Sequence, residues 1–435
     1  MRVQNFEKEI NKYLSGGPAS FISGNIYFIP NRMFMPKELF HTACEGKNLQ
    51  YVGAKNSNLP GGAIAFDRNS AIYSTIGEFV ERYSASFQSN INNDFLLHQS
   101  YNEISNKYDV VPFHYLKHYK DYQYKEGFPF SKVTMDSQLD WVKGNCFLTN
   151  REMYYPAELV YLPYKISQGN HRWAQTSTGL SAHVTEMKAI SGGFLECEER
   201  NAFCNWWYKQ NTNSLIKYSA TSILEYYSDI KDIQLLVNNS RVKIDFYDLG
   251  EYSNVETMIC FLQFTYKGKD YISLGSSARF TKPEAIIKSC LEAYQGIDFA
   301  ILLCNRENWI DEAEFDYSKL DEFDKHFAYY NKFTNIRMKV PIYKDLLEQH
   351  DNYSPIQIFI NKIEEFERDE ILFKAPHINH ILTFNLTTPD VEDIGYTVYR
   401  TAVPGHHLLT GNFNTPFLGF FDTDNLFINH PHPFP

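Results

Sequence analysis

Two long segments of this chain share a helical pattern of apolar residues and carry the same short acidic sequence. The first runs from about Ser70 to Gln88 and contains Glu78-x-x-Glu81-Arg82. The second runs from about Thr185 to Tyr208 and contains Glu196-x-x-Glu199-Arg200. Residues three and four apart share one face of a helix, so each pair projects two carboxylates side by side. The fold must therefore hold two helices whose like charges need compensation.

A third helical pattern runs from Pro283 to about Leu303 and contains Glu292-x-x-Gln295. Thr281 is predicted to cap this helix, and Pro283 suits its first turn. Between the helices, runs rich in β-branched and aromatic residues predict strands. These runs are Leu159–Leu162, Ile233–Val237, Val242–Leu249, Thr257–Tyr266 and Tyr271–Leu274. Strands that alternate with a few long helices indicate an α/β or α+β fold with mixed sheets.

The charge and composition of the chain exclude several classes of protein. With 41 Lys and Arg residues against 52 Asp and Glu, the formal net charge is −11, which disfavours nucleic acid as a partner. No run approaches the roughly 20 apolar residues that cross a bilayer, and the start lacks an apolar signal segment. A cytoplasmic protein is therefore predicted. The seven cysteines contain no Cys-x-x-Cys pair, which favours buried thiols over disulfides or zinc.

Two further segments are predicted to be structural. Arg306–Lys325 holds eight acidic residues against three basic ones, a composition typical of solvated surface. Trp206, Trp207 and Tyr208 are predicted to lie in the core.

The glutamate pairs have two interpretations. Each pair either faces solvent beside its arginine, or the pairs converge on a hard divalent cation such as Mg²⁺, with the arginines holding phosphate. Small residues flank both motifs, which favours the second interpretation: they are Ser74, Thr75, Gly77, Ser191, Gly192 and Gly193. The chain has no Gly-x-x-x-x-Gly-Lys-Ser/Thr or Gly-x-Gly-x-x-Gly motif. The sequence therefore predicts a site for magnesium and a nucleotide without a P-loop.

Three stretches resemble, in order, the three signatures of the YcaO superfamily. They are Gly61–Ala85, Ser177–Ala182 continuing to Phe194–Phe203, and Gly275 with Pro283–Gln295. The resemblance covers about residues 55–300 and implies a YcaO-type fold in which the long helices carry the Glu-x-x-Glu-Arg motifs. Residues 1–55 are then expected to form an N-terminal extension, and residues 56–435 the catalytic domain.

The resemblance implies an ATP- and Mg²⁺-dependent cyclodehydratase. In azoline-forming members, a Cys, Ser or Thr side chain of a peptide attacks the preceding carbonyl, ATP phosphorylates the oxyanion, and phosphate elimination leaves a thiazoline or oxazoline. Carried over, Glu78, Glu81, Glu196 and Glu199 are metal and nucleotide ligands; Arg82 and Arg200 orient carboxylates or phosphates; Ser74 and Ser181 line the nucleotide pocket; and Glu292 and Gln295 close it.

Two positions depart from the family pattern. Lys188 stands where a further glutamate is common, with Glu186 two residues earlier as a substitute ligand. Lys288 stands where an arginine is common, four residues before Glu292. A lysine can hold phosphate as a point charge, although without the bidentate fork of arginine.

The chain ends in Pro431-x-Pro433-x-Pro435, which is either a frayed terminus or a stiff segment that places a carboxylate. The pattern resembles the tail of azoline-forming YcaO proteins and implies that Pro435 reaches the active site and assists proton transfer. His406 and His407 are further candidate proton carriers, although ordinary loop histidines are the alternative.

The resemblance also implies partners. A ribosomal precursor peptide is the expected substrate. A ThiF-like, leader-binding partner is expected because the first 55 residues have no room for such a domain, and a flavin-dependent dehydrogenase and a homodimer are compatible with the sequence. Two alternatives remain open: a YcaO enzyme with an external nucleophile such as sulfide, which forms thioamides, and a weakly catalytic scaffold that docks the substrate, which Lys188 favours.

Overall fold

A computed structural model of the chain describes residues 26–45, 60–87, 96–166, 169–209, 216–348, 353–356 and 378–434. Contacts divide the chain into two compact units. Unit 1 comprises Met1–Pro30, Phe40–Cys197 and Asp369–Gly405; unit 2 comprises Asn31–Leu39, Glu198–Arg368 and His406–Pro435. Most of the extension predicted over residues 1–55 lies outside the described residues, so that domain boundary stays a prediction.

The strands of the described residues are β1 (Tyr27–Ile29), β2 (Phe40–Glu45), β3 (Pro60–Ala65), β4 (Leu96–Ser100), β5 (Gln138–Cys146), β6 (Arg151–Pro156), β7 (Leu180–His183), β8 (Ile216–Ser219), β9 (Lys243–Asp248), β10 (Glu256–Tyr266), β11 (Lys269–Arg279), β12 (Leu382–Asn385) and β13 (Thr397–Ala402). The α-helices are α1 (Arg68–Ser86), α2 (Tyr101–Ser105), α3 (Glu186–Lys209), α4 (Ala220–Tyr226), α5 (Lys231–Val237), α6 (Lys282–Cys304), α7 (Phe323–Lys332), α8 (Pro341–Leu347) and α9 (Pro389–Asp393).

Unit 1 contains two antiparallel sheets. One has the order β1-β2-β3, and the other has the order β4-β5-β12-β13-β7 with β6 also paired to β5. Helix α1 packs on β2 and β3. It begins after Asp67, whose carboxylate accepts a hydrogen bond from the Ser70 amide at 2.9 Å. β3 approaches α1 so closely that a Cβ atom on Gly61 would lie 2.3 Å from the Thr75 carbonyl oxygen.

Unit 2 is built on one antiparallel sheet with the order β11-β10-β9-β8. Helix α6 packs across β10 and β11 and buries an apolar face that includes Ile286, Ala293 and Ile297. A Cβ atom on Gly275 would lie 2.3 Å from the Ser289 carbonyl oxygen. The first and third signatures thus share one device, a glycine that lets a strand run directly against the helix that carries the acidic residues.

The three long helices are confirmed within two residues at each end, and three of the five predicted strands are confirmed as β9, β10 and β11. The other two strand predictions are wrong. Ile233–Val237 lies in α5, where Ile233, Leu236 and Val237 are buried at helical spacing. Leu159–Leu162 begins inside a 3₁₀ turn, Ala157–Leu159, whose Ala157 carbonyl accepts the Val160 and Tyr161 amides. Thr281 stands at the N-terminal boundary of α6, but its hydroxyl bonds Glu284 rather than the backbone.

The burial of the aromatic residues, the cysteines and the acidic segment agrees with the predictions made from the sequence. Trp206 and Trp207 are fully buried and Tyr208 nearly so, while the seven cysteines are free and buried. All eight acidic residues of Arg306–Lys325 are exposed, as predicted. None of the helices in the described residues is long and apolar enough to cross a membrane.

Candidate active site

The two glutamates of α1 occupy different environments. Glu78 is half-buried, and its Oε2 accepts a hydrogen bond from the Gly62 amide at 2.8 Å. The Glu81 side chain is only 16% exposed, with Arg82 Nε 3.6 Å from its Oε1. Burial raises the pKa of Glu81 to about 8; the Arg82 charge opposes this rise, and the carboxylates of Glu196 and Glu78 add to it. Burial and two neighbouring carboxylates thus shift Glu81 toward its neutral form, and a bound cation would return it to the charged form.

Glu196 is held in the same way as Glu78. Its Oε2 accepts a hydrogen bond from the Gly179 amide at 3.0 Å. In both signatures a backbone N–H of a glycine before the helix therefore steadies the first glutamate of the motif.

Arg400 on β13 is a site residue that the sequence analysis missed. It is 3% exposed and donates from Nε to the Val160 carbonyl at 3.0 Å. Its Nη atoms donate to the carbonyls of Thr176 and Thr178. Burial lowers the pKa of Arg400 to about 10, although the charges of Glu196 and Glu81 oppose the shift. The one available signal was an arginine inside a run of strand-forming residues, Thr397–Ala402.

The other predicted site residues of unit 1, Ser74, Ser181 and Glu186, are near the motif glutamates in sequence but differ in their surroundings in the structure. Ser74 is exposed on α1, and Ser181 on β7 faces α3, where a Cβ atom on Gly192 would lie 2.4 Å from its Oγ. Glu186 and Lys188 are both exposed, and Glu186 accepts a hydrogen bond from the Tyr399 hydroxyl at 2.8 Å. The structure thus gives Glu186 a fixed partner, and its service as a substitute ligand stays a prediction.

Four of the predicted residues of unit 2 form two ion pairs, Arg200 with Glu199 and Lys288 with Glu292. Arg200 Nη1 is 3.7 Å from Glu199 Oε1, and Glu199 is 6% exposed. The Arg200 guanidinium carbon also lies 3.9 Å from the centre of the Phe434 ring, a cation–π contact. Lys288 Nζ is 3.2 Å from Glu292 Oε1, with both side chains about one-third exposed. Gln295 is half-buried on the next turn of α6.

The proline-rich tail is anchored up to Phe434. Its Pro431 carbonyl accepts the Tyr330 hydroxyl, and its His432 carbonyl accepts a hydrogen bond from His326 Nδ1 at 3.1 Å. Phe434 is 3% exposed and packs edge-on against Phe203 at 4.7 Å. A frayed tail is thus wrong for the described residues. Pro435 lies outside them, so its catalytic role stays a prediction.

Glu198, between the two motif glutamates of α3, is fully buried. Its carboxylate accepts hydrogen bonds from Ser253 Oγ at 3.1 Å, the Asn254 amide at 2.8 Å, Asn254 Nδ2 at 2.9 Å and His406 Nε2 at 2.9 Å. Burial alone would raise the pKa of Glu198, but the His406 and Asn254 contacts outweigh it and lower the pKa. His406 is therefore a partner of this carboxylate, and His407 is buried and stacks on Phe421 at 3.8 Å.

The donor set suits a hard cation. The predicted metal ligands are carboxylates, which Mg²⁺ prefers, and those of Glu78 and Glu196 are near enough to Glu81 to raise its pKa. Among the described residues, however, no three His, Cys, Asp or Glu side chains are grouped as metal ligands. The assignment of Glu78, Glu81, Glu196 and Glu199 as metal ligands stays a prediction.

Three solved structures resemble this chain at low sequence identity. A heterocyclase in complex with substrate and cofactor has a TM-score of 0.63 and 16% identity, over 94% of this chain and 52% of that one. An E. coli microcin synthetase McbBCD complex has a TM-score of 0.61 and 15% identity, over 96% of this chain and 98% of that one. YcaO from Methanopyrus kandleri, bound with AMPPCP and Mg²⁺, has a TM-score of 0.50 and 13% identity, over 93% of this chain and 90% of that one. The chain spans about half the length of the heterocyclase, and these likenesses show the fold.

No match was found among curated proteins. The family model described as YcaO cyclodehydratase, ATP- and Mg²⁺-binding, matches residues 64–407. This match confirms the predicted α/β fold class of YcaO type and, at the level of the family, the predicted cofactors ATP and Mg²⁺. The chain therefore belongs to the YcaO family.

Proposed function

We propose that this chain catalyses the ATP- and Mg²⁺-dependent cyclodehydration of Cys, Ser or Thr residues in a ribosomal precursor peptide, forming thiazolines or oxazolines. The observation that carries the proposal is the environment of Glu81, a buried carboxyl whose pKa is raised by burial and further by the charges of Glu196 and Glu78. The Arg82 and Arg400 charges offset part of this repulsion, and a divalent cation would offset the rest. Family membership supplies the same expectation independently.

The residues that would hold Mg²⁺ are Glu78, Glu81 and Glu196, with Glu199 added by the family pattern. Bound ATP supplies the phosphoryl group that turns an amide oxygen into a leaving group. Arg82 presents a planar fork of donors suited to phosphate oxygens. Arg400 binds the carbonyls of Thr176 and Thr178, and so fixes the segment whose Gly179 amide orients Glu196.

The roles of the remaining residues are proposed from the family pattern. Ser74, Ser181 and Glu186 would contact the nucleotide from unit 1, and Lys288, Glu292 and Gln295 belong to the nucleotide-binding set of unit 2. Arg200 would stabilise charge during phosphoryl transfer, and Pro435 would assist the proton transfers of ring closure.

Partner proteins belong to the same proposal. The McbBCD relative is a complex of several proteins, which supports a partner that delivers the precursor peptide to this chain. A ThiF-like, leader-binding protein fits that role, and a flavin-dependent dehydrogenase fits a later oxidation of the azoline.

The test combines the chain with a candidate precursor peptide and its partner and follows ATP consumption and peptide mass. We expect the loss of one water for each ring. Glu78→Gln and Glu199→Gln should each lower ATP consumption by about 100-fold or more, because each removes a ligand charge. Glu225→Gln, at an exposed glutamate on α4, is the control and should retain activity. Full activity in both motif variants would remove the metal assignment.

Removal of Pro435 separates the azoline route from the external nucleophile route. The proposal expects ring formation to be lost, whereas thioamide formation with sulfide would be spared. Nucleotide binding with and without Mg²⁺ tests the scaffold alternative, which expects no Mg²⁺-dependent binding.

A further inference from the structure

A cleft of about 510 Å³ opens in unit 1 between β5 and β12, beside the end of α1. Its lining includes Ser84, Phe87, Lys143, Asn145, Asn385 and Thr388. The predicted site residues do not line this cleft, and no step of the proposed reaction uses it.

The cleft forms because two paired strands diverge. β5 and β12 pair only through Cys146 with Leu382 and Asn145 with Thr383. Continued in the same antiparallel register, Lys143 would face Asn385, but the described pairing does not include them and both line the cleft. At the intervening position the Phe384 ring occupies the space over Gly144, where a Cβ atom would lie 2.3 Å from the ring.

The divergence leaves backbone groups of Lys143 directed at the cleft. The Phe147 amide donates to the Ile381 carbonyl at 2.7 Å, so Phe147 points its backbone toward β12. Alternate residues of a strand direct their N–H and C=O groups to the same side. Asn145 and Lys143 therefore point the same way. In the described pairing, β4 covers this edge of β5 as far as Val142 and β12 covers it from Asn145, so an extended main chain can meet Lys143 between them.

Two buried hydroxyl groups in the walls also lack partners. Ser84 is 1% exposed and Thr388 is 3% exposed, and neither hydroxyl has a hydrogen-bond partner among the described residues. Thr388 precedes α9 but does not cap it with its side chain. Buried polar groups are nearly always satisfied in proteins, so such groups in the wall of a cleft indicate a polar ligand.

The charge of the walls decides what kind of ligand fits. Of the lining residues that the structure describes, Lys143 and Glu152 are charged, and they pair with each other at 2.8 Å. The remaining walls are apolar or neutral and polar, with Phe87, Tyr161 and Leu386 beside amide and hydroxyl groups. An uncharged segment with apolar side chains and free main-chain groups matches this lining.

We propose that this cleft binds an uncharged, extended segment of the precursor peptide. The inference rests on the proposed function. The position of the cleft supports peptide binding there, because Ser84 follows Glu81 by one turn of α1 and so lies on the same side of the helix. The cleft thereby gives the substrate a binding surface one helical turn from the carboxylates.

The first test narrows the cleft with Asn145→Trp, at an exposed position of its rim. We expect the KM for the precursor peptide to rise on the order of tenfold, with the KM for ATP and kcat at saturating peptide unchanged. Arg151→Trp is the matched control, because Arg151 is exposed at the start of β6 and does not line the cleft. An unchanged peptide KM in Asn145→Trp overturns the proposal.

The second test needs no catalysis. The native cysteines are buried, so Asn145→Cys introduces one accessible thiol, and its labelling by a maleimide can be timed. A capped peptide of Gly, Ser, Asn and Phe should slow the labelling several-fold, and a Lys- and Glu-rich peptide of equal length should not. Arg151→Cys should be labelled equally in both cases. Equal labelling of Asn145→Cys with both peptides overturns the proposal.

The two tests keep this proposal separate from the proposed function. If the peptide protects Asn145→Cys but loses no water, peptide binding in the cleft stands and cyclodehydration is wrong. If the peptide is cyclodehydrated but its KM is unchanged in Asn145→Trp, cyclodehydration stands and peptide binding in the cleft is wrong.

Discussion

Burial raises the pKa of both Glu81 in unit 1 and Glu198 in unit 2, yet the neighbouring groups give the two carboxyls opposite net shifts. Glu198 accepts hydrogen bonds from Ser253, Asn254 and His406, and these contacts lower its pKa. Glu81 is near the carboxylates of Glu78 and Glu196, and burial raises its pKa to about 8. The comparison favours a structural role for Glu198 and is consistent with the proposal that Glu81 binds a cation.

The largest expected effect is that of Glu81→Gln. This change keeps the shape of the side chain but removes the charge that would bind Mg²⁺, so ATP consumption should fall by about 100-fold or more. Stability against urea should stay equal or rise, because a repulsive buried carboxyl is gone. The contrast between Glu81 and Glu198 would be wrong if this variant unfolds at a lower urea concentration than the wild type while it keeps its ATP consumption.

Glu198→Gln should have the reverse profile. A neutral amide cannot accept all the bonds that the carboxylate accepts and leaves His406 without its anion, so unfolding should cost about 2–4 kcal/mol less. Urea unfolding followed by circular dichroism measures this change. An unaltered midpoint would show that the Glu198 contacts do not stabilise unit 2.

A pH titration extends the comparison to the tail of unit 2. His326 is 1% exposed, and burial lowers its pKa to about 4, whereas an unfolded histidine titrates near 6.5. Between these values the unfolded state binds more protons, so stability falls as the pH drops from about 6.5 to about 4. The loss from this group approaches ~3 kcal/mol at the lower value.

His326→Asn should flatten the pH dependence by that share, and a profile as steep as that of the wild type would contradict the assignment. His432 is also buried with a lowered pKa, so part of the slope should remain in the variant.

The smallest stability effect is expected for Lys288→Met. The Lys288–Glu292 pair is about one-third exposed at each end, so its loss should change the free energy of unfolding by no more than about 0.5 kcal/mol. The KM for ATP should rise several-fold if the lysine holds phosphate as predicted. A stability loss well above 1 kcal/mol with an unchanged KM would place Lys288 among the structural residues instead.

Local patterns made the three long helices and the acidic motifs predictable. The period of the apolar residues sets the helices, and the spacing of the glutamates sets which of them share a face. Short apolar runs were not predictable in the same way, because five residues such as Ile233–Val237 fit a strand or a helix equally well before their packing is known. Arg400 was missed because its partners, Val160 and Thr176, lie more than 200 residues away in the chain.

The sequence by itself determined the family, the order of its signatures and the carboxylates that each helix presents. Only the tertiary structure decided which of those carboxylates meet donors and which meet each other. Glu198 and Glu199 are adjacent in the chain, yet Glu198 accepts a hydrogen bond from His406, 208 positions away. The reason is physical: a pKa and a hydrogen bond depend on the groups within a few ångströms of a side chain, and long-range folding brings those groups together.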